Sequence, residues 1–130
     1  MTDQAVIDAI DESPLNRGLS GAAWIVEPGN IAIHLGRDIS LFDFEAPGVY
    51  QMHVLYCSRG RNAVRAATDA LAAIFNVYDA ELIFALVPNF RRDVKMLARW
   101  TGLKYVGRRN TDCGVCELFV ISKTMWKKRN

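Results

Sequence analysis

Residues 49–88 read VYQMHVLYCSRGRNAVRAATDALAAIFNVYDAELIFALVP and carry the clearest pattern in the chain. Apolar side chains alternate along 49–56, which predicts a strand. Through 61–78 they recur at intervals of three and four residues, which predicts an amphipathic helix. The β-favouring run 81–87 is typical of a strand covered on both faces, and Pro88 ends it. A strand, a helix and a strand in succession permit a right-handed βαβ unit with parallel strands.

The residues before this unit predict one helix and then short strands. The helix is expected to begin at Thr2 or Asp3, either of which can cap it, and to end at Ser13 and Pro14. Alternating apolar residues and turn residues then predict a hairpin and a further strand. The expected strands are 23–27, 31–35 and 41–44, and the hairpin turn is expected at 28–30.

The residues after the unit predict a second helix and two more strands. The helix covers 90–100 and closes at Gly102, because the left-handed turn at a helix C-terminus favours glycine. Strands are expected at 103–106 and 117–122, joined by a polar turn at 108–114. The whole pattern predicts an α+β fold with a mostly antiparallel sheet of about six strands, one βαβ crossover and flanking helices.

The composition is that of one ordinary globular domain. The chain has 130 residues, of which 51% are hydrophobic and 23% are charged, and these values exclude a disordered or fibrous protein. We expect a single domain over 1–130, with an N-terminal helix and connector at 1–21 and a basic tail at 123–130. The apolar runs are far shorter than the roughly 18 residues of a membrane span, and the acidic N-terminus is unlike a secretory signal. We therefore expect a cytoplasmic location and no membrane contact.

Charge is divided unevenly along the chain. Residues 1–50 hold 8 acidic and 2 basic side chains, a net charge of −6, whereas residues 51–130 hold 6 acidic and 14 basic ones, a net charge of +8. A local positive field attracts an anionic ligand or partner. A phosphorylated cofactor, an acidic protein and nucleic acid all fit this description. Nucleic acid is the weakest of these, because the basic tail lacks the aromatic and basic ladder of a single-strand binder.

The junction between the strand 49–56 and the following helix has the chemistry of a phosphate site. Gly60 allows a close backbone approach, the helix N-terminus presents unpaired N–H groups, and Arg59, Arg61 and Arg65 add positive charge. The plain alternative is a turn that needs a glycine and exposes arginines for solubility, since a single glycine is a weak signal.

Residues 59–66, Arg-Gly-Arg-Asn-Ala-Val-Arg-Ala, resemble the acyl-CoA-binding turn of the GNAT N-acetyltransferase superfamily. The family pattern is Gln or Arg, two residues, Gly, one residue, then Gly or Ala; Asn62 and Val64 stand at its small positions. The strand 82–88, Asn89, the following helix and the ending from Gly102 to Gly107 are similar to the next part of that superfamily. The resemblance covers about residues 22–122, and the compact form is similar to GNAT-like proteins of tailed bacteriophages.

This resemblance implies acetyl-CoA-dependent acyl transfer to a primary amine of a small molecule or a protein. His53, on the strand that enters the turn, is the implied general base, since histidine side chains titrate near neutral pH; the plain alternative is a histidine hydrogen-bonded within the sheet. Ala98 stands where many members carry a tyrosine that protonates the leaving thiolate. The implied cofactor-binding residues are Cys57, Ser58, Arg59, Gly60, Arg61, Asn62, Arg65 and Asn89.

A second function from a different class stays open. Some of the similar phage proteins are virion or head-assembly components, which implies a catalytically inactive protein that contacts other phage structural proteins in the host cytoplasm or the virion. The remaining motif, Cys113-Gly114-Val115-Cys116, is a single CxxC pair. A structural zinc site usually draws four ligands from two such clusters, so we expect reduced thiols and no metal.

Overall fold

The computed structural model describes residues 3–13, 20–112 and 114–129. These residues form five helices and six strands. The elements are α1 (Asp3–Glu12), α2 (Gly21–Val26), β1 (Ile31–Leu35), β2 (Asp38–Ala46), β3 (Val49–Leu55), α3 (Arg61–Asn76), β4 (Leu82–Pro88), α4 (Arg92–Thr101), β5 (Lys104–Thr111), β6 (Gly114–Ser122) and α5 (Lys123–Arg129).

In the described part of the chain, six strands form one sheet in the order β1-β2-β3-β4-β6-β5. Neighbouring strands are antiparallel except β3 and β4, which are parallel and are joined by α3. The predicted α+β class is therefore confirmed, together with its mostly antiparallel sheet and its single βαβ crossover. The predicted helix 61–78 and strand 81–87 match α3 and β4 closely.

Two hydrophobic clusters cover the two faces of the sheet. The larger cluster joins the sheet to α3 and α4, and the smaller one joins it to α1 and α2. Along β2, Phe42 belongs to the larger cluster, whereas Ile39 and Leu41 belong to the smaller one. Because successive strand residues point to opposite faces, the two pairs of helices lie on opposite sides. Both main helices, α3 and α4, are thus on one face.

The segment 23–27 was expected to be a strand, and that prediction is wrong. Residues 23–26 belong to α2, and Glu27 is its C-cap; at the other end, Ser20 caps α2 by accepting a hydrogen bond from the Ala23 N–H at 3.3 Å. Gly21 donates its N–H to Asp11 of α1 at 2.8 Å, and Trp24 is buried in the smaller cluster. A short apolar run fits a strand or a helical turn equally well, so these contacts with distant residues determine that the segment is helical. The hairpin instead joins β1 to β2 through residues 36 and 37.

The C-terminal third is more regular than expected. Most of the predicted polar turn 108–114 is paired strand, because β5 and β6 extend to Thr111 and Gly114. The predicted basic tail is helical over 123–129, and Trp126 stacks on Phe75 of α3 with ring centroids 5.8 Å apart. None of the helices in the described ranges combines the length and the apolar character needed to cross a bilayer.

Candidate functional site

Strands β3 and β4 pair over three residues and then separate. The register ends at Gln51 and Phe84, within two strands that are described throughout. A cavity of about 400 Å³, which we call the strand cavity, opens where they part. Residues 51–55 of β3 and 85–88 of β4 line it, together with apolar side chains of α4. The separation of two central strands thus creates an interior site in the sheet.

A second cavity, of about 580 Å³, lies at the turn between β3 and α3, and we call it the turn cavity. Residues 57–60 of the turn, Ala63 of α3 and Trp100 of α4 are part of its lining. The two cavities adjoin because the same residues of β3 and α4 line both. These shared residues are Val54, Leu55, Arg91, Val94 and Leu97. Each volume lies in the range of about 300–1,000 Å³ that ligand pockets occupy.

The N-terminus of α3 has no capping side chain among the described residues. Its N-cap residue is Gly60, and its first internal hydrogen bond is the one from the Val64 N–H to the Gly60 carbonyl at 3.1 Å. The N–H groups of residues 61–63 therefore have no acceptor within the helix. Gly60 has φ of 59°, and a Cβ there would meet no atom within 4 Å. Unpaired amides at the positive end of a helix dipole attract an anion, and phosphate is a frequent one.

The two amides that precede this helix are already bound inside the protein. Oδ1 of Asp38 accepts the N–H of Cys57 at 2.8 Å and the N–H of Ser58 at 2.9 Å. Burial raises the pKa of Asp38, and the hydrogen bonds from Ser58 and from both backbone amides lower it by more, so the group stays ionised. Cys57 and Ser58 were predicted to bind phosphate. Their backbone amides bind Asp38 instead, which leaves the amides of 61–63 for a ligand.

The three arginines predicted to bind phosphate are only partly brought together. Arg59 lines the turn cavity, whereas Arg61 and Arg65 are exposed on α3 and line neither cavity. Asn62 and Val64, which stand at the small positions of the family pattern, also lie outside both linings.

Two further arginines line the turn cavity and were not predicted. Arg37 lies between β1 and β2, and Arg91 lies just before α4. Arg91 donates two hydrogen bonds of 3.0 Å to Asp93, and this pairing offsets much of its charge. Arg37 is far from the turn in sequence, and only the position of β2 beside β3 brings it there, so no local motif could have indicated it.

His53 lines the strand cavity and is held by a carboxylate. Its Nε2 lies 2.8 Å from Oδ2 of Asp43 on β2, and Oδ1 of Asp43 accepts the indole N–H of Trp24 at 2.6 Å. Burial raises the pKa of Asp43, but the hydrogen bonds from His53 and Trp24 and the charge of His53 lower it overall. An ionised acceptor holds the proton of a neutral imidazole on Nε2, which leaves Nδ1 able to accept another proton.

Acid should expose the contribution of Asp43 to stability. A carboxyl whose folded-state pKa is lowered stabilises the fold above its unfolded pKa of about 3.9, and this stabilisation is lost as the pH falls through the folded value. We expect Asp43→Asn to flatten the acid side of a plot of unfolding free energy against pH, measured by urea denaturation. Asp69→Asn, which changes an exposed carboxylate on α3, should retain the wild-type slope. Identical curves for Asp43→Asn and the wild type would contradict the pairing.

Three further residues bear on the leaving group and the cofactor: Ala98 and Asn89, which the sequence indicated, and Tyr56, which it did not. Ala98 is buried and lines the strand cavity, where it offers no hydroxyl. Tyr56 lines the turn cavity; burial and the charge of Asp38 raise its pKa to about 12, although its hydrogen bond with Ser40 opposes them. Asn89 is exposed and lines neither cavity. Its contact with the cofactor therefore stays a prediction, and neither cavity borders this residue.

The two cysteines among the described residues line different cavities. Cys57 is exposed and lines the turn cavity, and Cys116 is buried and lines the strand cavity. Cys113, the first residue of the CxxC pair, lies outside the described residues. Within the described ranges, no three side chains of His, Cys, Asp or Glu come together as metal ligands.

Several solved structures with the same architecture are acetyltransferases. A spermidine N-acetyltransferase chimera from Vibrio cholerae and hSSAT gives a TM-score of 0.77 at 10% identity, covering 99% of this chain and 97% of that one. A GNAT-family acetyltransferase from Bacillus anthracis gives 0.66 at 13% identity, covering 94% and 89%. An aminoglycoside acetyltransferase, AAC(6')-Ib with coenzyme A and kanamycin, gives 0.62 at 13% identity, covering 72% and 64%.

These likenesses establish that the chain has the GNAT fold. The chain spans less than two thirds of the length of the aminoglycoside acetyltransferase. No protein-family model and no curated protein matches the sequence. The resemblance inferred from residues 59–66 is thus confirmed at the level of the fold, and the similarity to phage proteins stays a prediction.

Proposed function

We propose that the protein transfers an acetyl group from acetyl-CoA to a primary amine. The observation that carries this proposal is that two cavities share part of their lining. His53, hydrogen-bonded to Asp43, lines the strand cavity, and the start of α3 lines the turn cavity. The fold supports it, since solved proteins with this architecture include acetyltransferases bound to acetyl-CoA or coenzyme A.

The residues present fit such a ligand. The N-terminus of α3, where Gly60 and Ala63 line the turn cavity, and the charges of Arg59 and Arg37 suit a diphosphate there. The apolar walls of the strand cavity, including Val94 and Leu97, suit an acyl chain and its linker. Bound there, acetyl-CoA supplies an acyl group activated as a thioester.

His53 would act as the general base. An amine that attacks a carbonyl carbon must lose a proton, and Nδ1 of His53 accepts it while Asp43 orients the ring and stabilises the imidazolium. The sulfur needs no dedicated acid, because a thiol with a pKa of about 8.5 leaves as a weakly basic thiolate. An alanine at position 98 is compatible with this chemistry.

Cys57 provides a test that does not depend on turnover. Its thiol is exposed in the turn cavity, whereas Cys116 is buried and serves as an internal reference. We expect saturating acetyl-CoA to slow the alkylation of Cys57 by N-ethylmaleimide several-fold, as measured by peptide mass mapping. Incubation with spermidine, kanamycin or a peptide with a free α-amino group should then give an acetylated amine.

The alternative function predicts the opposite result. A non-catalytic component of a virion or of head assembly needs no thioester, so acetyl-CoA would leave the alkylation rate of Cys57 unchanged and no acetylated amine would form. That pair of results would end the acetyltransferase proposal. Protection of Cys57 without any acetylated product would support the cofactor site and direct the search to other amines.

A further inference from the structure

Trp100 is an exposed indole that the proposed chemistry does not use. Its side chain is 57% exposed, whereas Trp24 and Trp126 are 4% and 5% exposed and are packed in the hydrophobic clusters. An exposed indole leaves a large apolar surface in water, which is unfavourable unless a ligand or a partner covers it. Trp100 therefore has a surface available for a flat apolar ligand.

Trp100 belongs to the turn cavity and not to an isolated surface. It lines that cavity together with Leu97, three residues earlier on α4, and with Asp93, one further turn back. Residues at these spacings share one side of a helix. That side of α4 thus borders the space in front of the α3 N-terminus, where Arg37 and Arg59 also lie.

This combination has the chemistry of nucleotide recognition. Helix amides and guanidinium groups bind phosphates, and an aromatic ring stacks on the face of a base. Gly60 and Ala63 at the start of α3, Arg37, Arg59 and Trp100 all line this cavity of about 580 Å³. A ligand that carries a diphosphate and a purine would cover the indole while its phosphates face the amides.

We propose that Trp100 stacks on the adenine of the bound acyl carrier and makes the protein select acyl carriers that bear adenosine over acyl-phosphopantetheine alone. This inference rests on the proposed function, because it concerns the same cavity. It adds a determinant of specificity on α4 that lies outside the residues 57–65 and Asn89 indicated by the sequence.

Intrinsic fluorescence tests the proposal directly, since Trp100 is the exposed one of the three tryptophans. Acetyl-CoA and adenosine diphosphate should quench the emission of the wild type, and acetyl-phosphopantetheine should not. Trp100→Leu should lose this quenching and raise the Kd of acetyl-CoA about tenfold by calorimetry, the loss expected for one stacked base. The Kd of acetyl-phosphopantetheine should stay unchanged, and Trp100→Phe should retain most of the affinity for acetyl-CoA.

Met96→Ala is the matched control, because Met96 is also exposed on α4 and lines neither cavity. It should bind acetyl-CoA as the wild type does. An unchanged Kd of acetyl-CoA in Trp100→Leu would overturn the stacking role, and so would an equal loss of affinity for both carriers. A wild type that binds no acetyl-CoA at all would instead overturn the proposed function, and this inference with it.

Discussion

Replacing His53 with glutamine should lower kcat by about a hundredfold or more, the usual contribution of a general base. Glutamine keeps a polar side chain of similar length but cannot accept the proton of the amine near neutral pH. The Kd of acetyl-CoA should stay unchanged, because the groups proposed to bind its phosphates lie at the N-terminus of α3. Steady-state rates with the best amine acceptor and calorimetric titration with acetyl-CoA measure the two quantities separately.

His34→Gln is the control for this experiment. His34 lies on β1 and lines neither cavity, so the variant should turn over like the wild type. A His53→Gln protein with full activity would remove His53 from the mechanism. Equal losses of activity in both variants would point to a general effect on the sheet and would also contradict the assigned role.

Replacing Asp38 with alanine should affect both stability and ligand binding. The N–H groups of Cys57 and Ser58 would lose their acceptor inside the protein. An unsatisfied buried donor costs about 1–3 kcal/mol, so a loss of about 2 kcal/mol of unfolding free energy is expected for this partly accessible pair. Because the turn would no longer be fixed, affinity for acetyl-CoA should fall as well. Urea denaturation and calorimetry measure the two effects.

Asp38→Asn separates the hydrogen bonds from the charge. The asparagine carbonyl can still accept both N–H groups, while the negative charge beside the phosphate site is removed. This variant should therefore bind acetyl-CoA at least as tightly as the wild type, although Asp38→Ala binds it less tightly. If both variants bind equally well, Asp38 does not position the turn.

The secondary structure could be predicted wherever the hydrophobic period within one segment is clear by itself. The helix α3 and the strand β4 each show a period that leaves one interpretation, and Gly102 adopts the expected left-handed conformation with φ of 102°. The segment 23–27 could not be predicted in this way. Its helical state depends on Ser20, on the bond between Gly21 and Asp11, and on the burial of Trp24, and two of these contacts involve distant residues.

The candidate site was even less predictable from local sequence than the fold. The turn at Gly60 and the position of His53 on its strand follow from local sequence; Gly60 lines the turn cavity and His53 the strand cavity. The partners that determine their chemistry, Asp38 and Asp43, lie on β2 and reach the site through strand pairing. The alternation along β2 could have placed Asp43 on the face of His53, but only with the correct register. No sequence pattern showed which arginines would border the turn cavity.

The parting of β3 and β4 has a consequence for whatever lies between them. Beyond Gln51 and Phe84, the facing edges of two strands in the middle of the sheet have peptide groups that no longer pair with each other. A molecule with amides at strand-like spacing can hydrogen-bond to both edges and close the gap for as long as it stays. Its departure returns those peptide groups to water. The ligand would then act as the missing partner of both strands. A change that weakens its binding would also weaken the connection between the two halves of the sheet.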